Sequence, residues 1–299
     1  MQHTKILFFC SLLILFGCGK DKSEPQGDKG LIWSEEIRLA TYNIRYDNPN
    51  DEGNLWKDRK LIMPQLINKY DFDIIGMQEA YLNQINDLKA ALPQYEWIGI
   101  SRDGSSTSGE FCPIFYKPEK FELLKSGNFW LSTTPSTPGK GWDAALNRIC
   151  TWAQFKDKKS DYTFYVFNTH FDHVGEQARL QSANLMQQKI REIAGNTATA
   201  FMTGDLNFDQ NHPNYSTIVN GNLLKDTYSL ALSKLNATRG TLNSFNPNST
   251  RTGRIDHIFA TGGTFVRINY WAVLTDSYSG KVPSDHFPVM ARVLLGEIK

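Results

Sequence analysis

Apolar positions in this chain come in short runs rich in β-branched and aromatic residues, separated by clusters of Gly, Pro, Asn, Asp and Ser. Runs of that length and composition predict strands. They fall at 38–46, 73–79, 95–101, 111–117, 121–131, 149–155, 162–170, 199–206, 254–261, 265–274 and 289–295. Three segments carry a helical rhythm instead. From Glu176 to Ala194, Leu180, Ala183, Met186, Ile190 and Ile193 recur at intervals of three and four, the spacing of one buried helical face. Residues 58–70 and 81–92 predict shorter helices, the first disturbed at Pro64. Many strands with helices between some of them predict two packed sheets with helices outside. From about Ile37 onwards no long linker and no repeat of fixed period interrupts the pattern, so this part is read as one domain.

The N-terminus follows a different rule. Lys5 precedes a mostly apolar run, Ile6 to Phe16, that is too short to span a bilayer as a helix and reads as a signal peptide. Within it, Leu15-Phe16-Gly17-Cys18 looks like a bacterial lipobox, in which Cys18 is acylated and becomes the first mature residue. A polar stretch, Gly19 to Gly30, follows where a tether belongs. The expected division is a signal peptide at 1–17, a lipidated Cys18 with its tether at 18–35, and a catalytic domain at 36–299. Such a protein is exported and membrane-anchored, on either the periplasmic or the outer face. If Cys10 is removed and Cys18 modified, Cys112 and Cys150 remain, and buried free thiols are the favoured state over a bridge.

Charge narrows the partners. Lys and Arg number 32 against 31 Asp and Glu, so no strong overall field steers the molecule towards a polyanion. Nucleic acid stays open as a substrate without being favoured, and no protein partner is predicted. The longest basic cluster, Lys156-Asp157-Lys158-Lys159, reads as a hairpin turn.

Candidate chemistry sits at the ends of apolar strands, where side chains from different strands converge. Asn43 ends Ala40-Thr41-Tyr42-Asn43, Glu79 ends Ile74-Ile75-Gly76-Met77-Gln78-Glu79, and His170 lies in Asn168-Thr169-His170-Phe171-Asp172-His173. Asp205 and Asn207 fall in Gly204-Asp205-Leu206-Asn207, Asp256 in Arg254-Ile255-Asp256-His257, and Asp285 with His286 in Ser284-Asp285-His286-Phe287-Pro288. Each alone is compatible with a turn or cap. Six in one chain are hard to explain that way. Carboxylate and carboxamide oxygens suit a hard cation, Mg²⁺ or else Mn²⁺, and no Cys/His cluster has structural-zinc spacing. An oxygen-ligated metal beside two histidines has the parts for hydrolysis of a phosphate ester.

This set of motifs, in this order over residues 36 to 297, resembles the endonuclease/exonuclease/phosphatase superfamily. The resemblance implies an α+β fold, a four-layer α/β/β/α sandwich of the DNase I-like kind, with the site at one edge of the two sheets. It also implies roles. Glu79 is the principal metal carboxylate, with Asn43 close to the metal and Asp285 contributing to its shell. Asp205 orients or deprotonates the attacking water, a task the Asp256–His286 pair takes in the alternative assignment, and Asn207 helps to hold the phosphate or metal. His286 contacts the scissile phosphate while Asp256 fixes its tautomer, and His170 reaches a phosphoryl oxygen or the leaving group. Arg148, entering a strand, is a candidate phosphate-binding cation, with an exposed edge arginine as the plainer alternative. The loop 131–147, with Trp142, is expected to overhang the site.

A phosphodiesterase, nuclease-like or cleaving phospholipid or sphingolipid headgroups, is slightly favoured. A phosphomonoesterase for inositol or sugar phosphates is the alternative. A lipid-anchored binding protein that has lost catalysis is the reading from another class.

Overall fold

The protein was analysed as a computed structural model, which describes residues 31–262 and 265–298. The signal, the lipobox with Cys18 and most of the tether lie outside the described residues. In chain order the first half carries strands β1 (Leu31–Trp33), β2 (Ile37–Asn43), β3 (Ile74–Gln78), β4 (Ala80–Tyr81), β5 (Glu96–Ile98), β6 (Glu110–Phe111), β7 (Ile114–Tyr116) and β8 (Phe121–Trp130). The second half carries β9 (Ile149–Asp157), β10 (Thr163–His170), β11 (Ala200–Asp205), β12 (Leu224–Asp226), β13 (Ser233–Leu235), β14 (Asp256–Thr261), β15 (Val266–Val273) and β16 (Val289–Ile298). The helices are α1 (Trp56–Arg59), α2 (Met63–Tyr70), α3 (Leu82–Ala91), α4 (Glu176–Ala194), α5 (Pro213–Val219) and α6 (Thr227–Leu230).

These strands make two large sheets. One runs β13-β15-β16-β2-β3-β7-β5, with β1 paired to the end of β16; the other runs β12-β14-β11-β10-β9-β8. Near the middle of each sheet lies a parallel pair, β2 with β3 and β10 with β11, flanked by antiparallel neighbours. Period-two alternation sorts the side chains. Leu39, Ile74, Val166, Phe201 and Ile258 point into the space between the sheets and share one core. Their neighbours Ala40, Ile75 and Met77 face outward onto Leu66, Ile67, Ile85 and Leu88 of α2 and α3. Phe167, Met202 and Phe259 face outward onto Ala183, Met186 and Ile190 of α4. Three stacked cores between four layers are the α/β/β/α sandwich expected from the sequence, and each fully buried large apolar side chain stabilises it by roughly 1.5–3 kcal/mol.

All eleven predicted strands form, and α4 has the predicted bounds. Three details differ. Predicted strand 111–117 is split into β6 and β7 at Pro113, which has no N–H for a ladder. Predicted helix 58–70 is two helices, because Pro64 sits in the first turn of α2, where a missing N–H costs nothing, and the chain breaks before it. The tether boundary at residue 35 falls inside the fold: Leu31–Trp33 pair antiparallel with Gly296–Ile298. Cys112 and Cys150 are buried free thiols, as favoured.

Towards one end the inter-sheet core turns polar. Gln78 donates to Thr41 Oγ1 (3.1 Å) in its own sheet and to Asn168 Oδ1 (2.6 Å) in the other. Asn168 donates back to the carbonyls of Met77 (2.7 Å) and Pro113 (3.0 Å), and accepts from Thr203 Oγ1 (3.1 Å). Gly76 makes this approach possible, since a Cβ there would lie 2.2 Å from Thr203 Oγ1 and 2.5 Å from Asn168 Oδ1. Gly76→Ala is therefore expected to destabilise the fold by about 1–3 kcal/mol, the range for overpacking a tight core. The check is a urea titration with the m-value held, and removing the facing hydroxyl with Thr203→Ala should recover part of the loss. An unchanged midpoint would show that the sheets are not in close contact here.

Candidate active site

Directly beyond this polar layer the parallel strands end. Register places Asn43 beside Gln78 in one sheet, and His170, Asp205 and Asp256 in a row in the other. All lie on inward faces, so a one-residue slip would turn them away. Glu79 follows β3 with φ of 61°, and Arg45 and Asn207 adopt φ of 54° and 53°. These left-handed turns end their strands and re-aim the side chains.

Asn43 ties the two sheets together at the site. Its Nδ2 donates to Glu79 Oε1 (3.0 Å) and to Asp205 Oδ2 (2.9 Å), while its Oδ1 accepts from the Arg45 amide (3.0 Å). Asp205 Oδ2 also faces His170 Nε2 at 3.7 Å and His286 Nε2 at 3.8 Å. His286 Nδ1 lies 2.8 Å from Asp256 Oδ2. Ser284 donates to the Asn43 carbonyl (2.7 Å), which locks the segment carrying His286 to β2 rather than capping a helix. Asp285 points elsewhere: its Oδ2 is 3.8 Å from Arg45 Nε, and that guanidinium is 3.9 Å from Glu79.

The two histidines are in opposite states. Burial disfavours the charge on His286, but Asp256, hydrogen-bonded to it, and then Asp205 and Asp285 outweigh burial and hold it well above its ordinary pKa. Burial and then the Arg148 cation push His170 down to about 3, so it is neutral. Asn207 Nδ2 donates to the Phe171 carbonyl (2.9 Å), which fixes the orientation of its amide, and it also lies 3.0 Å from His170 Nε2. That nitrogen is thus the acceptor, and the His170 proton sits on Nδ1, 3.4 Å from Glu110 Oε1. Burial raises the Asp205 carboxyl, and Asp256 adds to the rise; burial likewise raises Asp285.

Two groups have ligand atoms close enough to share an ion, Glu79 with His170 and Asp205, and Asp205 with Asp256 and His286. The donor set fits a divalent cation: Glu79 and Asp205 offer carboxylate oxygens within reach of one ion, and Asp256 Oδ1 is buried without a partner.

Arg148 is no exposed edge residue. It is buried, with Nε 3.3 Å from Asp172 Oδ2, Nη2 3.0 Å from His173 Nδ1, and Nη1 without a hydrogen-bond partner. Asp172 also accepts from the amides of Ala145, Leu146, Val174 and Gly175. Burial works against that carboxylate's charge, but these amides and Arg148 hold it well below the usual range. The loop 131–147 is pinned by this contact and by Asp143, whose carboxylate accepts from the amides of Gln177 and Ala178 at the start of α4. Leu146 lines the pocket as expected of an overhanging loop, while Trp142 is partly exposed. Trp56 and Trp130 are buried.

The sequence reading missed Glu110 and Arg102. Arg102 Nη1 is 2.8 Å from Glu110, and both line a pocket of about 420 Å³ with Arg45, Glu79, Arg148 and His170. Their runs, Ser-Arg-Asp-Gly and Gly-Glu-Phe, carry no local signal of chemistry. His212 is a cap, accepting from the Asn214 amide (3.2 Å), and His257 pairs with Asp226 (3.4 Å) away from the site.

A four-layer sandwich with carboxylates, carboxamides and two histidines converging at the strand ends defines a phosphoesterase of the DNase I-like class. The chain belongs to the endonuclease/exonuclease/phosphatase family, whose model matches residues 40–286. Its members hydrolyse phosphate esters, generally with divalent metals. A solved family protein from Bacteroides thetaiotaomicron is 41% identical, covering 87% of this chain and 98% of its own, with a TM-score of 0.83. A mannosyl-6-phosphatase from the same organism is 42% identical, with 86% and 99% covered and a TM-score of 0.83. An uncharacterised protein of Acanthamoeba polyphaga mimivirus is 30% identical over 79% of this chain and 91% of its own.

Removing the Asp172 carboxylate would strand Arg148 and four amides. Asp172→Ala is expected to destabilise by about 3–5 kcal/mol, the cost of breaking a buried charged network. A thermal melt measures it, and a melting temperature within a degree of wild type would mean that this network is dispensable.

Proposed function

We propose that the chain is a metal-dependent phosphomonoesterase acting on a sugar phosphate, in preference to the diester reading that the sequence slightly favoured. The observation that carries this is the 420 Å³ pocket over Glu79, His170 and Asn207, walled by Arg45, Arg102 and Arg148 and by Tyr46 and Tyr81. Such a chamber suits one phosphorylated ring. A polymer backbone calls for a track of cations running beyond one chamber, and the longest basic cluster in the sequence is Lys156-Asp157-Lys158-Lys159. The 42% identity to a mannosyl-6-phosphatase supports the same reading.

In this reading Glu79, with Asn43, would hold a Mg²⁺, which would supply charge neutralisation on the phosphoryl oxygens and polarise a water. The cationic His286, kept so by Asp256, presents its Nε2 proton beside Asp205 and stabilises charge developing on the phosphoryl group. Asp205, raised by burial, accepts the proton of the attacking water. Neutral His170 holds the Asn207 carboxamide at the chamber wall through its unprotonated Nε2, and Arg148 offers Nη1, which makes no hydrogen bond, to a phosphate oxygen. The same proposal includes export and tethering through Cys18, supported by the lipobox sequence.

The test is a substrate panel with Mg²⁺, Mn²⁺ and EDTA, spanning sugar phosphates, inositol phosphates, sphingomyelin, RNA and DNA. Sugar phosphates are expected to give the highest kcat/KM, abolished by EDTA and restored by Mg²⁺. Preference for a diester would overturn the substrate reading, and tight ligand binding without any turnover would favour the inactive binding protein. Asp205→Asn and His286→Gln, both near-isosteric, should each lower kcat by at least about 100-fold with circular dichroism unchanged. Wild-type rates in both would remove this site assignment. Cells fed labelled palmitate should label the wild-type protein but not Cys18→Ala; equal labelling would exclude the anchor at that residue.

A further inference from the structure

We infer that a second pocket beside the phosphate chamber is a subsite for a neutral saccharide, so that the preferred substrate is a phosphorylated sugar linked to at least one further sugar unit. This rests on the sugar-phosphate reading of the site. The second pocket has a volume of about 530 Å³ and shares Tyr81 with the phosphate chamber as a common wall. The two chambers differ sharply in chemistry. The first holds Arg45, Arg102, Arg148, Glu79 and Glu110, whereas no Asp, Glu, Lys, Arg or His lines the second.

Most of its lining is amide and hydroxyl, from Asn83, Asn86, Thr107 and Ser108, with Tyr81, Leu82 and Gly109 completing it. Carboxamides and hydroxyls both donate and accept, which matches sugar hydroxyls, each of them donor and acceptor at once. A second phosphate would meet no cation there, and an alkyl chain would cover amides without satisfying them. Several of these groups are also held in advance. Tyr81 caps α3, its amide donating to Gln84 Oε1 (3.0 Å), and it pairs with Glu110 across β4 and β6. Ser105 Oγ accepts from the amides of Thr107 and Ser108, each at 3.1 Å. Asn83 gives one proton to Asp47 (2.9 Å) and keeps its carbonyl oxygen free, and Asn86 makes no hydrogen bond with the described residues. Groups already fixed lose little entropy on binding, so a saccharide can gain affinity from few contacts.

The experiment compares mannose 6-phosphate with a 6-phosphomannosyl-mannose disaccharide on the full mature protein. The disaccharide is expected to have a kcat/KM at least tenfold higher, mostly through a lower KM. Asn86→Leu, at an exposed position outside the catalytic chamber, should lower that preference several-fold while leaving mannose 6-phosphate turnover within twofold. Equal kcat/KM for the two substrates, or a variant that slows both alike, overturns the subsite. Turnover of another ester but of neither sugar phosphate sinks the sugar reading, and the subsite with it.

Discussion

Everything at the site depends on how closely two sheets meet at one level. Gly76 in one faces Thr203 and Asn168 in the other with no room for a methyl group. At that level the core exchanges apolar side chains for a small hydrogen-bonded network joining Gln78, Thr41, Asn168 and Thr203. Each such bond contributes only about 1 kcal/mol net, but leaving a member unpaired costs more than making it gains. The network therefore fixes one mutual position of the sheets. Asn43 from one sheet can then reach Asp205 from the other at hydrogen-bond distance.

That position separates the two histidines electrically. His286 looks onto Asp256, Asp205 and Asp285, whereas His170 has Arg148 behind it and is deeply buried. Two identical side chains on either side of one carboxylate are thus held in opposite protonation states. Such a pairing lets a site offer a positive charge and a neutral acceptor at the same pH, without a separate device for either.

Much of this was legible in the sequence, and the reasons are particular. Asn43, Glu79, His170, Asp205 and Asp256 could be found because each interrupts or closes a strongly apolar strand, and the superfamily resemblance supplied their order. Glu110 and Arg102 could not. Glu110 opens a two-residue strand that Pro113 separates from β7, and Arg102 sits in a Ser- and Gly-rich turn, so neither breaks a periodic pattern. Their relation to His170 and Arg148 exists only across the fold. Arg148 was visible but ambiguous, because a strand-edge arginine looks the same in sequence whether it is exposed or buried behind Asp172. The short elements β12, β13, α5 and α6 also escaped notice, since three to seven residues carry too little periodicity to register.

Three residues around the site, Arg45, Glu79 and Asn207, hold left-handed backbone conformations that favour glycine. For a side chain of ordinary bulk this geometry costs roughly 1 kcal/mol or more. Glycine at any of these places would relax the main chain, yet erase a charge or an amide the chemistry needs and leave its hydrogen-bond partners unpaired. The fold is least comfortable where it is most useful.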